Sequence, residues 1–229
     1  MGTDRQHIVK PVETKDGSLT LLSERFGATY HATQGAKEES RHVFINNGLL
    51  RFRAEHSKTV LKVLEIGFGT GLNTFLTFLE ARRLGLVIDY QAVELYPVPM
   101  EITKQLNFTK HYSSDEETVF FRMHEQAWNE THPLSETFHL TKHLAKAETF
   151  RAEQKFDLIY FDAFSPKEQP ELWTEIVFRN MYSLLNEPGM LVTYCAQGQM
   201  KRNMKAAGFQ IKALKGFAVK REMTVAYRS

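Results

Sequence analysis

The stretch KVLEIGFGTGLNTFL, residues 62–76, limits the possible folds more than any other part of the chain. An apolar run with one lysine, VLKVLEI (60–66), suits a strand buried on both faces. It passes through Gly67, Gly69 and Gly71 into LNTFLTFLEARRLG (72–85), a helical pattern closed by Gly85. A strand, a glycine-rich turn and a helix in that order open many nucleotide-binding α/β sheets.

The rest of the chain keeps that rhythm. LVIDYQAVEL (86–95) reads as the next strand, residues 97–110 as a helix, TVFFRM (118–123) as a short strand and FDLIYFDAF (156–164) as another buried strand. ELWTEIVFRNMYSLL (171–185) sets Trp173, Ile176, Val177, Met181 and Leu184 on one helical stripe. MLVTYCA (190–196) is a strand, KRNMKAAG (201–208) a helix, and FQIKAL (209–214) and EMTVAYR (222–228) close the chain as an antiparallel pair. The alternation predicts a doubly wound, mainly parallel α/β sheet spanning 58–229. Residues 1–57 form an annex, strand-rich over 19–55. The polar stretch 129–150 breaks the rhythm and is too long to be a plain connection.

At 229 residues, with 42% hydrophobic and 24% charged residues, the chain has enough apolar material for one full core. Its single cysteine allows no intrachain disulfide and no thiolate metal cluster, which suits a reducing, cytoplasmic compartment. The N-terminus MGTDRQHIVKPVETKDG has no apolar run after its charges, so neither a leader nor a membrane span is expected. Net charge is only +2, but residues 201–229 hold eight basic side chains against Glu222, a net +7, leaving about −5 on the rest. A basic end on an acidic body fits a polyanion site or a solvated edge equally well.

The glycine turn discriminates among ligands. It lacks the Gly-Lys-Ser/Thr ending of a phosphate loop, and its glycines alternate, unlike G-x-G-x-x-G of dinucleotide sites. Glu65 stands two residues before Gly67, giving E-x-G-x-G-x-G, an order that suits the zwitterionic methionine end of S-adenosylmethionine. Bare backbone lets the cofactor lie against the strand end, Glu65 can serve its ammonium, and the helix start at Leu72 and Asn73 offers amide donors to its carboxylate. Glu94, ending the next strand, can accept both ribose hydroxyls, as it could in a dehydrogenase. Adenine is expected beside HEQAW (124–128), with Glu125 and Gln126 as candidates for its amine. Asp162, ending the fourth strand, falls on the rim where open sheets bind ligands; Phe164, Ser165 and Pro166 follow in a stiff loop.

These motifs carry a resemblance. EESRHVFINNGLL (38–50), EIGFGTGLN (65–73), VELYP (93–97), FDAFSPKEQPELWT (161–174) and KGFAVKREM (215–223) are similar to the MnmD/MnmC methyltransferase family, which completes 5-methylaminomethyl-2-thiouridine at the tRNA wobble position. The resemblance implies a class I Rossmann-like fold using S-adenosylmethionine, with the family's acid at Asp162, its cofactor glycines at Gly67, Gly69 and Gly71, and its ribose acid at Glu94. The bifunctional members continue into a flavin oxidase. This chain stops at Ser229 without a second glycine fingerprint, so the oxidase step is expected to be absent and separate enzymes to supply the aminomethyl precursor. Residues 129–150 also look longer than in those members.

For an anticodon stem-loop, Phe164 and Phe217 are candidate stacking platforms, with Pro166 beside them. Lys220 and Arg221 are candidates for the wobble nucleotide or its phosphate, and Lys201 and Arg202 lie further out. His139 and His143 stand four apart but lack a third ligand, so no metal is expected. Competing readings are a small-molecule amine methyltransferase, an aminopropyl transferase of the same fold, a nicotinamide oxidoreductase, and a non-catalytic RNA-binding module.

Overall fold

The computed structural model describes residues 8–229; the first seven residues, on which part of the leader expectation falls, lie outside the described residues. Strands β1 (Val9–Glu13), β2 (Leu19–Ser23) and β3 (Ala28–Thr29) form a small antiparallel sheet. Helix α1 (Ala36–Ser40) continues through a π-helical segment, Arg41–Leu50, into α2 (Arg51–His56). β4 (Val60–Ile66), α3 (Leu72–Leu84), β5 (Val87–Glu94), the short α4 (Met100–Thr103) and α5 (Ser114–Glu125) follow. The hairpin β6 (Thr131–Ser135) and β7 (Phe138–Leu144) precedes β8 (Phe156–Phe161), α6 (Glu175–Leu184) and β9 (Leu185–Thr193). The chain ends with α7 (Gly198–Ala206), β10 (Gln210–Lys215) and β11 (Glu222–Arg228).

The main sheet has eight strands in the order β10-β11-β9-β8-β4-β5-β7-β6. Its five central strands are parallel; β6 and the β10–β11 pair run antiparallel at the edges. Alternate residues of the central strands feed two cores. Leu61, Val63, Tyr90, Leu158 and Tyr160 face one, together with Phe44, Phe52 and Phe75 from the helices. Leu64, Ile66, Ile159 and Phe161 face the other, with Trp173, Phe178 and Met204. Burial on both faces is why these strands read as unbroken apolar runs. The chain builds outward from β4 through β5 to β7, then crosses back to β8 on the opposite side. That reversal leaves a crevice beyond the carboxyl ends of β4 and β8, where the Asp162 amide donates to the Ile66 carbonyl at 2.9 Å.

Several expected elements differ. Residues 118–123 are helical, within α5. The signal was there: Ser113 accepts from the Glu116 amide while the Glu116 side chain accepts from the Ser113 amide, a capping box that starts the helix. The annex is strand-rich only through Thr29. Beyond it the helical run 36–56 packs under the main sheet, and a Cβ on Gly48 would stand 3.0 Å from the Tyr160 ring. Of residues 97–110 only four are helical, and 129–150 contributes an antiparallel hairpin. Ile176 leaves its stripe and is 77% exposed, whereas Trp173, Val177, Met181 and Leu184 are buried.

Candidate active site

A cavity of about 580 Å³ opens at the crevice. Its walls come from the glycine turn after β4, the end of β5, the segment Ala145–Glu148 after β7, the loop after β8 and the annex.

The three glycines all have positive φ: 92° at Gly67, 51° at Gly69 and 71° at Gly71. What their missing side chains make room for is protein. A Cβ on Gly67 would lie 2.5 Å from the Asp162 carbonyl oxygen, one on Gly69 2.9 Å from the Tyr30 ring, and one on Gly71 2.5 Å from Met123. The motif therefore brings β4, β8, the annex and α5 together at one corner. Gly67 and Gly69 line the cavity; Gly71 stands behind it, at the start of α3.

Behind the turn is a buried acidic network. The Asn73 side-chain amide donates to Glu65 Oε1 at 3.0 Å and to Asp162 Oδ2 at 2.8 Å. Thr74 and Tyr90 donate to Glu65 Oε2 at 2.8 and 2.9 Å. Glu65 is fully buried and off the cavity wall, so it does not meet a cofactor ammonium directly; it holds Asn73 instead. Burial pushes its carboxyl up to about 8 against the pull of its hydrogen bonds. Burial likewise pushes Asp162 up to about 7, opposed by Asn73. Asn73 Oδ1 is buried without a hydrogen-bond partner, and Asn73 lines the cavity. An orphaned acceptor there fits a donor from a ligand, such as an ammonium.

Glu94 also lines the cavity. It accepts backbone amides from Gly69 at 3.0 Å and from Leu95 and Tyr96 at 2.8 Å each. A carboxylate has about four acceptor sites. About one remains, so Glu94 suits one ribose hydroxyl directly rather than both. Replacing it with glutamine removes a charged acceptor and turns an amide toward backbone donors. Such a bond is worth about 1.5–3 kcal/mol. Affinity for S-adenosylhomocysteine, measured by calorimetry, is expected to fall about ten- to hundredfold. An unchanged affinity would remove Glu94 from the nucleoside site.

The loop after β8 is held rigidly. Trp173 Nε1 donates to the Phe164 carbonyl at 2.7 Å, and the Phe164 amide donates to Gln169 at 3.2 Å. Phe164 lines the cavity and stacks on Phe26 of the annex at 4.3 Å. Tyr194 donates to the Ala163 carbonyl at 2.9 Å. Lys220 lines the cavity as well; Pro166, Phe217, Arg221, Lys201 and Arg202 do not. Phe217 lies 6.2 Å from the His42 ring, Lys201 pairs with Glu222 at 2.6 Å, and Arg202 donates to Gln199 at 2.7 Å.

Two candidates need correction. Glu125 and Gln126 end α5 and do not reach the cavity. They suit the adenine only if 118–123 is the third strand. That position in the sheet belongs to β7, and the segment after it that lines the cavity is Ala145–Glu148. No polar motif marks those residues in the sequence. His31 also lines the cavity, and no motif marks it in the sequence. His31 contacts Thr20 and Thr70 at 3.1 and 3.4 Å, and burial holds it down to about 4, so it is neutral at pH 7. His139 and His143 lie on a strand, and among the described residues no group of three His, Cys, Asp or Glu could hold a metal. No helix among them is long and apolar enough to cross a membrane.

Fold and crevice place the chain among the class I Rossmann-like S-adenosylmethionine-dependent methyltransferases, and a family model described as S-adenosyl-L-methionine-dependent methyltransferase matches residues 118–229. The crystal structure of MnmC2 from Aquifex aeolicus superposes with a TM-score of 0.77, covering 97% of this chain and 71% of that one at 23% identity. Spermidine synthase from Thermotoga maritima shares the fold at a TM-score of 0.59 and 15% identity, over 100% of this chain and 71% of that one. Within the class, the family resemblance read from the motifs holds: the chain is related along most of its length to the MnmC proteins. The bifunctional tRNA 5-methylaminomethyl-2-thiouridine biosynthesis protein MnmC of Nitrosospira multiformis is 31% identical over 89% of this chain. That of Cupriavidus metallidurans is 32% identical over 95%. The chain spans about a third of the length of these curated relatives (34% and 33%).

Proposed function

We propose that this chain methylates the amine of 5-aminomethyl-(2-thio)uridine at the tRNA wobble position, with S-adenosylmethionine as donor, giving 5-methylaminomethyl-2-thiouridine. The observation that carries it is the placing of Asp162: a carboxylate at the switch-point crevice, fixed by Asn73 and sharing a cavity with Glu94 and Phe164. The relatives' printed role in 5-methylaminomethyl-2-thiouridine biosynthesis supports the choice of acceptor.

Asn73 Oδ1 would take the cofactor's ammonium, Glu94 a ribose hydroxyl, and Ala145–Glu148 would flank the adenine. When bound, S-adenosylmethionine supplies a methyl group activated by a sulfonium. The chain's own task is to present the amine. An alkylammonium has no free lone pair, so one N–H proton must leave before the nitrogen reacts. Asp162, held near 7, accepts that hydrogen and releases the proton to solvent. Orientation of this kind can supply about 7–11 kcal/mol.

The anticodon loop would stack bases on aromatics such as Phe164 at the mouth, while exposed Arg202, Lys205 and Arg221 meet phosphates. Lys212 and Lys215, on the edge strand β10, have a structural explanation too, since edge lysines deter strand pairing. A tRNA substrate puts the chain in the cytoplasm, and separate enzymes would make the aminomethyl precursor.

The test is nucleoside analysis of precursor tRNA incubated with the protein and labelled donor. Label on the 5-aminomethyl nitrogen of the wobble uridine is the expected result. Label elsewhere in the tRNA, or transfer only to free polyamines, would remove the assignment.

A further inference from the structure

A second acid stands on the cavity wall with Asp162. Glu39, on α1, is only 6% exposed. Its Oε2 accepts the Ala32 amide at 2.6 Å, which fixes the carboxylate's orientation. Its Oε1 holds Lys220 Nζ, also at 2.6 Å, across 181 residues of sequence. The same ammonium lies 4.3 Å from the centroid of the Tyr194 ring. Glu39, Tyr194, Lys220 and Asp162 all line the cavity, and Asp162 feels the charges of both Glu39 and Lys220.

This is a finished receptor for a primary alkylammonium. It has a carboxylate aimed by a backbone amide and an aromatic face for the cation, with a second carboxylate in electrostatic range. The end of a lysine side chain, CH2–NH3⁺, is chemically the same group as an aminomethyl substituent on a base. We propose that Glu39 and Tyr194 form the subsite that recognises the substrate's alkylammonium, and that Lys220 fills it as an internal surrogate until the substrate displaces it. The inference rests on the amine-methylating reading and names how that site selects its acceptor.

The surroundings suit an exchange. Lys220 sits in the connection between β10 and β11, where Ala218 has φ 49° and Val219 is 79% exposed. The Lys220 side chain is itself 37% exposed, whereas that of Glu39 is 8% exposed. A buried carboxylate left alone is costly, so Lys220 leaves readily only when another cation replaces it. Substrate ammonium in and lysine ammonium out conserves charge. The released Lys220 stands at the mouth next to exposed Arg221, where an RNA phosphate would receive it. A neutral 5-substituent cannot drive the exchange, which gives the site a physical basis for choosing amines.

The test uses free nucleosides, so that phosphate contacts play no part. Binding of 5-aminomethyluridine and of 5-hydroxymethyluridine is measured by calorimetry in the presence of S-adenosylhomocysteine. Lys220→Met, which removes the surrogate, is expected to bind the amine at least tenfold more tightly than the unaltered protein. Glu39→Gln is expected to bind it at least tenfold more weakly, with Glu39→Asp recovering part of the loss. The hydroxymethyl nucleoside should respond less than threefold in every case. An amine affinity unchanged or weakened in Lys220→Met would overturn the surrogate role. Equal losses for both nucleosides in Glu39→Gln would show that Glu39 is structural. Methylation of tRNA by the unaltered protein is scored separately. The selective binding pattern without tRNA methylation would remove the tRNA reading and keep the subsite, and the reverse result would do the opposite.

Discussion

Asp162→Asn is expected to lower kcat by about 10²–10³-fold, within the range that a positioned proton acceptor contributes. Affinities for S-adenosylhomocysteine and for tRNA should stay within a few-fold. The substitution keeps the shape of the side chain, so it isolates the charge. The unaltered protein should also show a kcat/KM that rises with pH through about 7, because in the free protein Asp162 is pushed up to about 7 by burial and accepts a hydrogen only when ionised. Activity is then lost as pH falls through that value, and the asparagine variant should lack this limb. Stability should move the other way. An acid whose folded-state pKa is raised contributes stability below its unfolded value that is lost as pH rises through the folded one. Removing the carboxyl should therefore leave the melting temperature at pH 8 the same or higher. Pre-steady-state methyl transfer across pH 5–9 with thermal melts at pH 5 and 8 separates these effects. A variant retaining more than a tenth of kcat with the same pH limb would exclude Asp162 as the proton acceptor.

The largest structural effect is expected at Gly67. Its φ of 92° is strained for any side chain, and a Cβ would sit 2.5 Å from the carbonyl oxygen of Asp162, which is backbone and cannot swing aside. The conformational cost is about 1–2 kcal/mol and the overpacking cost about 1–3 kcal/mol. Gly67→Ala should then lose about 2–5 kcal/mol, or about 5–20 °C in melting temperature for a chain of this size. Relief of the clash separates the ends of β4 and β8, so stabilisation by S-adenosylhomocysteine should vanish too. Gly85 supplies the control. It has φ 64° with nothing within 4 Å of a Cβ, and it caps α3 far from the crevice. Gly85→Ala should cost only the conformational part and keep the ligand's stabilising effect. Equal melting shifts for the two variants, with ligand stabilisation retained in both, would refute the close-approach argument.

Much of this molecule could be read without coordinates, and the reasons are specific. β4 and β11 match the expected spans, 60–66 and 222–228, because a largely buried strand flanked on both sides writes its pattern directly into local composition. The end of α3 was legible because Gly85 is the residue the left-handed cap requires. Residues 118–123 misled because Phe120 and Phe121 look strand-like locally, while the capping box just upstream determines the helix. That slip put Glu125 and Gln126 forward for the cavity in place of Ala145–Glu148, the segment after β7 that lines it. Glu65 was expected to meet a cofactor ammonium and instead lies buried on Asn73, since only packing decides whether a carboxyl beside a glycine turn faces a cavity or a buried asparagine.

By itself, the sequence determined the parallel strands β4, β5, β8 and β9, the glycine turn after β4 and the acid that follows β8. Each depends on short-range backbone chemistry or on periodicity within one element. Tertiary structure alone decided what those pieces meet: Gly67 against the Asp162 backbone, Asn73 between two carboxyls, and Lys220 on Glu39 across 181 residues. Contacts between distant segments are set by how the layers close over one another, and no local pattern records that.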